Sequence, residues 1–531
     1  MPTLEWIGKD KVVNHHQEVP YRVLERQYSY DEAGQHVEDN GSENMIIHGD
    51  NLEALKALLP RYEGKVKCIY IDPPYNTGNE GWVYNDNVND PKIKKWLGEV
   101  VGKEGEDLSR HDKWLCMMYP RLKLLQRLLA EDGAIFISID DVEFYNLRLI
   151  CNEIFGDHNF IATIIWRKNY APKGTAKHFS EDHDYILVYG KSAEQWIPHK
   201  MPRTEKQNKA YKNPDNDPRG LWRPNNLAAR NFYSKGTYSI TCPSGRVIKG
   251  PPAGSYWRVS EEKFWEMDRD GRIWWGKDGN NVPAPKIFLS EVADGIVPQT
   301  FWSYEEVGHT QDAKKEIKTI FTGETPFDTP KPVRLIERIL QIASDPDSII
   351  LDSFAGSGTT AHAVLNMNKA DGGNRKFILV EMMDYADSIT AERVKRVIDG
   401  YGEDKKAVEG TGGNFSYYEL GPVLLLPNGN LNEEVGPQKI REYVYYMETK
   451  EPLPAEQPTD EPYFMGLCRN TAYYFYYERE SVTTLDHAFL ATVQTKAEGY
   501  TIYADLCAIP QETLRKHNIT FKKIPRDIAR L

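Results

Sequence analysis

Ile69-Tyr70-Ile71-Asp72-Pro73-Pro74-Tyr75-Asn76-Thr77-Gly78 is the stretch on which the reading of this 531-residue chain turns. The apolar run 66–71 has strand character, and it delivers a carboxylate, two prolines and an aromatic ring into a loop that Asn-Thr-Gly turns sharply. Two consecutive prolines stiffen that loop and remove two backbone donors, which leaves the carbonyls of Asp72 and Pro73 as acceptors in need of an outside partner. An acidic acceptor beside free carbonyls and a flat ring suits a planar heterocycle bearing an amino group. The structural alternative is a strand-end turn with a helix-capping Asp.

Working outward, the pattern alternates. Residues 45–50 read as a short strand ending in a turn, and 51–59 as a helix with apolar Leu52, Leu55, Ala57, Leu58 and Leu59, capped by Asp50 or Asn51. After a polar, mobile-looking segment (78–110) come an amphipathic helix over 112–129, a buried strand over 134–139, a helix over 142–155 and a strand over 185–189. Strands alternating with helices of this length predict an α/β fold: a mainly parallel, Rossmann-like sheet with helices on both faces.

The alternation stops at about 191 and resumes near 326. There Thr329-Pro330-Lys331-Pro332 leads into a helix over 333–343. Ser348-Ile349-Ile350-Leu351-Asp352-Ser353-Phe354-Ala355-Gly356-Ser357-Gly358-Thr359-Thr360 follows as a strand, a glycine turn and a helix start. Such a turn lets a ligand approach the backbone at the carboxyl end of a strand and the N-terminus of a helix. No Walker P-loop is present, which argues against an NTPase. Ala361 stands where a dinucleotide fingerprint would place its third glycine; that fingerprint tolerates alanine, so a dehydrogenase is weakened, not removed. The next strand, 376–381, ends in Glu381, at a distance in sequence that suits a carboxylate gripping a ribose hydroxyl pair.

Composition bounds the remainder. The length implies roughly three domains. Hydrophobic content of 40% and charged content of 27% are those of a globular protein, no apolar run is long enough to span a membrane, and Met1-Pro2-Thr3-Leu4-Glu5-Trp6 does not read as a signal peptide. Six scattered cysteines without a C-x-x-C disfavour a metal site or a disulfide framework and fit a reducing cytoplasm. The net charge is -12, yet residues 166–250 carry sixteen Lys or Arg against seven Asp or Glu, a local +9. Those cations interleave with Trp222, Phe232, Tyr233, Tyr238, Tyr256 and Trp257, a mixture suited to phosphates and bases, with a solvated basic surface as the plainer reading. Past 409 a turn at 410–414, strand-like pieces (415–420, 472–477, 501–507) and an acidic, proline-rich interval (451–461) predict a mixed α/β C-terminal domain.

Asp-Pro-Pro-Tyr after one strand and Phe-x-Gly-x-Gly after another resemble the amino-group DNA methyltransferases that use S-adenosyl-L-methionine. The order, catalytic loop, basic insert, cofactor loop, is similar to that of the beta group. The Asn-Thr-Gly after the tyrosine and the C-terminal extension look most like the modification subunits of type III restriction systems. The resemblance implies an N-terminal arm (1–44), a methyltransferase core in two halves (45–190, catalytic; 326–408, cofactor-binding), a target-recognition insert (191–325) and a C-terminal domain for assembly (409–531). It further implies that Asp72 and the carbonyl of Pro73 accept the two N–H groups of a target amine, with Pro74 shaping the loop and Tyr75 stacking on the base. Phe354, Gly356, Gly358 and Thr359 would line the methionine end of the cofactor, beside Asp352. Glu381 would hold the ribose, Asp50 and Asn51 would lie toward the adenine, and Lys331 would approach the cofactor carboxylate; the sequence departs from the family pattern there, with Thr329-Pro330 in place of the usual Thr-Gln. The implied activity is adenine-N6 methylation of a flipped base in double-stranded DNA, without a metal, by a homodimer that works with a separate helicase and nuclease subunit. Cytosine-N4 or RNA methylation, and a specificity subunit with vestigial chemistry, are the alternatives.

Overall fold

In the computed structural model, residues 3–77, 110–292, 295–455 and 460–530 are described. The expected polar segment at 78–110 thus falls almost wholly outside the described residues, as does part of the acidic interval after 451. The chain forms two compact units, one of residues 1–198 and 299–531, the other His199–Pro298.

The first unit is built on one eleven-stranded sheet. Its strands in chain order are β1 (Arg22–Asp31), β2 (Gly34–His36), β3 (Met45–His48), β4 (Val66–Ile71), β5 (Leu129–Ile139), β6 (Phe160–Arg167), β7 (His183–Gly190), β8 (Phe301–Trp302), β9 (Ile349–Asp352), β10 (Lys376–Glu381) and β11 (Asn414–Val423). Their spatial order is β8-β6-β7-β5-β4-β9-β10-β3-β11-β1-β2. The six strands from β5 to β11 run parallel; β7 inverts on one side and β1 on the other. Helices explain why the central strands are nearly continuous apolar runs: α1 (Asn51–Tyr62), α2 (Arg110–Leu128), α3 (Phe144–Phe155), α4 (Val333–Ala343) and α5 (Thr359–Asp371) leave Ile69, Ile71, Ile135, Ile137, Leu351, Ile378 and Val380 fully buried. Each α/β crossover adds a parallel strand whose carboxyl end faces the same way. The loops after β4, β5, β9 and β10 therefore share one edge of the sheet, where ligands bind in open α/β folds.

Several boundaries differ from the sequence reading. The arm at 1–44 is integral to the sheet, because β1 pairs along its length with β11. Strand β11 in turn lies within the region expected to begin the C-terminal domain. The insert is narrower than 191–325. Phe301–Trp302 joins β6 as an edge strand, and the helix Thr310–Ile320 buries Ile317 and Ile320 in the first unit. Beyond Pro437, a four-stranded mixed sheet (Phe464–Cys468, Thr471–Phe475, Gly499–Ala504, Ile519–Lys523) gives the α/β texture expected there.

The second unit has its own small core around Leu227, Ile240, Trp257, Phe264, Ile273 and Trp275. Two of the aromatics read as base contacts belong to structure instead: Trp222 and Trp257 are buried, their indole N–H groups donating to Asp215 Oδ1 (2.8 Å) and the Tyr238 carbonyl (2.9 Å). Phe232, 77% exposed, and Tyr233 lie between exposed Arg230 and Lys235.

Candidate active site

Strand β4 ends at Ile71, and the carboxylate of Asp72 emerges at the ligand-facing edge. Its Oδ2 accepts from Lys331 Nζ, while Oδ1 is buried and has no hydrogen-bond partner among the described residues. Lys331 comes from the segment before α4 and is itself buried. Its Nζ lies 5.1 Å from the centroid of the Tyr75 ring. The ammonium placed by sequence reasoning at a cofactor carboxylate is here on the acceptor carboxylate.

The loop around that pair is rigid for identifiable reasons. The Pro74 carbonyl accepts from Trp114 Nε1 on α2 at 2.6 Å, and no side chain among the described residues donates to the carbonyl of Pro73. Asn76 takes φ 60°, a left-handed conformation that Asn tolerates, and its amide donates to the fully buried Glu143 and to the Arg110 carbonyl (3.2 Å). Glu143 also receives His111 Nδ1 at 2.7 Å and Asn146 Nδ2 at 2.7 Å. Tyr75 is buried, and burial followed by the Asp72 charge holds its hydroxyl well above the usual phenol range, so it stays neutral.

The neighbouring strand ends supply a glycine cradle. Asp352, at the end of β9, accepts from Phe354 N (3.1 Å) and Thr360 Oγ1 (2.6 Å), and burial pushes its carboxyl up to about 7. Gly356 and Gly358 have φ of 55° and 79°; at Gly358 a Cβ would come within 3.0 Å of the Thr390 carbonyl. Phe354 is partly exposed at the loop, whereas Ser353 Oγ is buried with no hydrogen-bond partner among the described residues. Glu381 ends β10 and accepts from Gly356 N (2.9 Å) and Met383 N (3.0 Å), so it braces the cradle from beneath; burial pushes it up to about 7. Thr359 Oγ1 accepts from Arg393 Nη1 (2.8 Å) and donates to the Lys331 carbonyl (3.4 Å), which ties the cradle to the lysine segment.

Asp50 and Asn51 have structural duties at the third strand end. Asp50 caps α1 by accepting from Leu52 N (2.8 Å) and Glu53 N (3.2 Å), and Asn51 donates to the Ser353 carbonyl (3.2 Å). Both also receive the buried Arg121 of α2. Arg121 was not singled out from sequence; its signal is a lone cation on the apolar face of a helix. Trp114, Glu143 and the Lys168–Asp184 pair (2.5 Å) were missed likewise, since their partners are distant in sequence. Among the described residues no group of three His, Cys, Asp or Glu could hold a metal ion.

Arranged along one sheet edge, these loops offer a carboxylate acceptor with an aromatic face next to a glycine cradle on the adjoining strand. A family model described as DNA methylase (N6/N4 methyltransferases) matches residues 66–392, which include both loops. The chain is 35% identical to the Type III restriction-modification enzyme StyLTI Mod subunit of Salmonella typhimurium over 74% of its own length and 62% of the relative's. It is 33% identical to the EcoPI Mod subunit of Escherichia phage P1 (71% and 63%) and 32% identical to the Type II methyltransferase M.KpnI of Klebsiella pneumoniae (65% and 81%). It thus spans somewhat less than two thirds of the two Mod subunits. The chain belongs to the N6/N4 DNA methylase family.

Proposed function

We propose that this chain methylates the N6 amine of an adenine flipped out of double-stranded DNA, using S-adenosyl-L-methionine, as the modification component of a type III-like restriction–modification system. The observation that carries the reading is the adjacency of β4 and β9, paired Cys68 to Ile350 and Ile69 to Leu351, which sets the Asp72 loop beside the glycine cradle.

The residues fit the cofactor: left-handed glycines let a ligand meet the backbone closely, Ser353 Oγ, buried with no partner among the described residues, offers a polar contact, and Phe354, Gly356, Gly358, Thr359 and Glu381 frame the cradle. When bound there, the cofactor supplies an electrophilic sulfonium methyl. The chain's own part is to bind and orient the base. An aromatic amine is a poor nucleophile because its lone pair is delocalised into the ring. Asp72 and the Pro73 carbonyl, by accepting both N–H groups, would restore that lone pair and aim it. Tyr75, kept neutral, offers its face to the base. Flipping costs a few kcal/mol, and stacking on one aromatic ring returns about 1–3 kcal/mol.

Within the unit His199–Pro298, which we take as the target-recognition region, the exposed Arg230, Phe232, Tyr233 and Lys235 form the stretch best suited to DNA. The C-terminal α/β region is the part we assign to assembly, as a homodimer and with a restriction subunit. Six free cysteines accord with a cytoplasmic setting. The decisive experiment is modification-sensitive sequencing of DNA from cells expressing the wild type or Asp72→Ala. Methyl-adenine in one sequence context, present only with the wild type, is expected; methyl-cytosine or no modification would refute the assignment.

A further inference from the structure

The acceptor that the target amine needs is already engaged from within the chain. Lys331 Nζ donates to Asp72 Oδ2 and lies over the Tyr75 ring, so one ammonium occupies both features that would grip a flipped base, the acceptor and the stacking face. The backbone of this lysine is fixed. Its carbonyl accepts from Thr359 Oγ1, and Pro332 begins α4 as the N-cap, which leaves the four-carbon stem as the movable part. Asp72 Oδ1, by contrast, is buried with no hydrogen-bond partner among the described residues, and the Tyr75 hydroxyl beside it feels the carboxylate charge, so one oxygen is held by a cation and the other is not. Asp184, paired with Lys168 at 2.5 Å, adds a second carboxylate whose charge acts on both Lys331 and Asp72.

We propose that Lys331 is a positioning residue that holds Asp72 in the place of the target amine and is displaced by the incoming base. The inference rests on the methyltransferase reading of Asp72. The lysine keeps the carboxylate aimed and charge-compensated. It also makes base capture a competition, which favours bases backed by binding energy from sequence recognition over those that arrive without it.

The test uses the full chain and duplex DNA carrying 2-aminopurine immediately beside the adenine located by sequencing, so that the target keeps its amine and its unstacking brightens the neighbour. Lys331→Met is expected to raise the emission of the bound duplex at least about threefold over wild type, because the competitor for the base site is gone. Lys331→Arg, which restores a donor to Asp72, stays at the wild-type level. Calorimetry is expected to give S-adenosyl-L-methionine affinities within about threefold of wild type for both variants. Emission at or below wild type in Lys331→Met overturns the proposal, and so does a loss of cofactor affinity beyond about tenfold, which would make the lysine a cofactor ligand. If thermal melting shows Lys331→Met unfolded, Lys331→Gln is read by the same emission. Failure of the underlying reading is distinct: the wild type would then methylate no DNA, whereas failure of the lysine proposal leaves wild-type methylation intact.

Discussion

Two acidic strand ends lie side by side in this sheet and are satisfied in opposite ways. Asp352 meets its needs locally, from the backbone of Phe354 and the hydroxyl of Thr360 within the same turn. Asp72 is met by a lysine distant in sequence, and one of its oxygens has no hydrogen-bond partner among the described residues. A loop that closes on itself is scaffold, since opening it exposes its own unpaired groups. A loop whose acceptor is filled only from elsewhere can exchange that partner for a guest at little cost to its own fold.

The sharpest way to break this contrast is Asp72→Ala. Methyl transfer is expected to fall by about 10³-fold or more, with cofactor affinity measured by calorimetry held within a few fold. Equal loss of both would place Asp72 with the scaffold. Next in size, residues 199–298 can be replaced by a short Gly/Ser linker, because Met201 and Ile296 pair at the two ends of that unit. DNA affinity in filter binding is expected to drop by about 10²-fold or more while cofactor binding persists, since cation and aromatic contacts dominate such affinity.

On the scaffold side, Gly358→Ala forces a side chain into a left-handed site against the Thr390 carbonyl. A stability loss of about 1–2 kcal/mol in urea titration, with weaker cofactor binding, is expected. The smallest effect is a pH dependence. Asp352 is raised from 3.8 to about 7, so the folded chain holds a proton that the unfolded chain releases, and the carboxyl costs stability as pH rises between about 4 and about 7. Asp352→Asn lacks that loss, so its melting temperature relative to wild type is expected to climb across that window and then level off.

Much of this was legible because β4 and β9 are largely apolar runs that end in residues unusual for a turn, and because two such signals in one order constrain more than either alone. The polar braces were not legible. Arg121 serves Asp50 and Asn51 from about 70 positions away, and Glu143 gathers Asn76 and His111 across two helices, so no local pattern announces them. Two strands were assigned away from the sheet for a related reason. Residues 22–31 were read as part of an arm and the strand-like 415–420 as part of the C-terminal domain, because they pair with each other nearly 400 positions apart and nothing local joins them. The insert's tryptophans misled because a Trp with a satisfied N–H packs a small core as readily as it stacks on a base.

The pairing of β4 with β9 also dictates when this protein can fold. Cys68 and Ile350 are partners about 280 positions apart. At a synthesis rate of about 5–20 residues per second, β4 waits roughly 15–60 s for its neighbour to be made. Throughout that interval an apolar strand destined for the middle of a sheet has one flank unpaired, while residues 199–298, whose contacts close within 100 positions, can fold ahead of it. The half-made chain is therefore the form of this protein most in need of a chaperone.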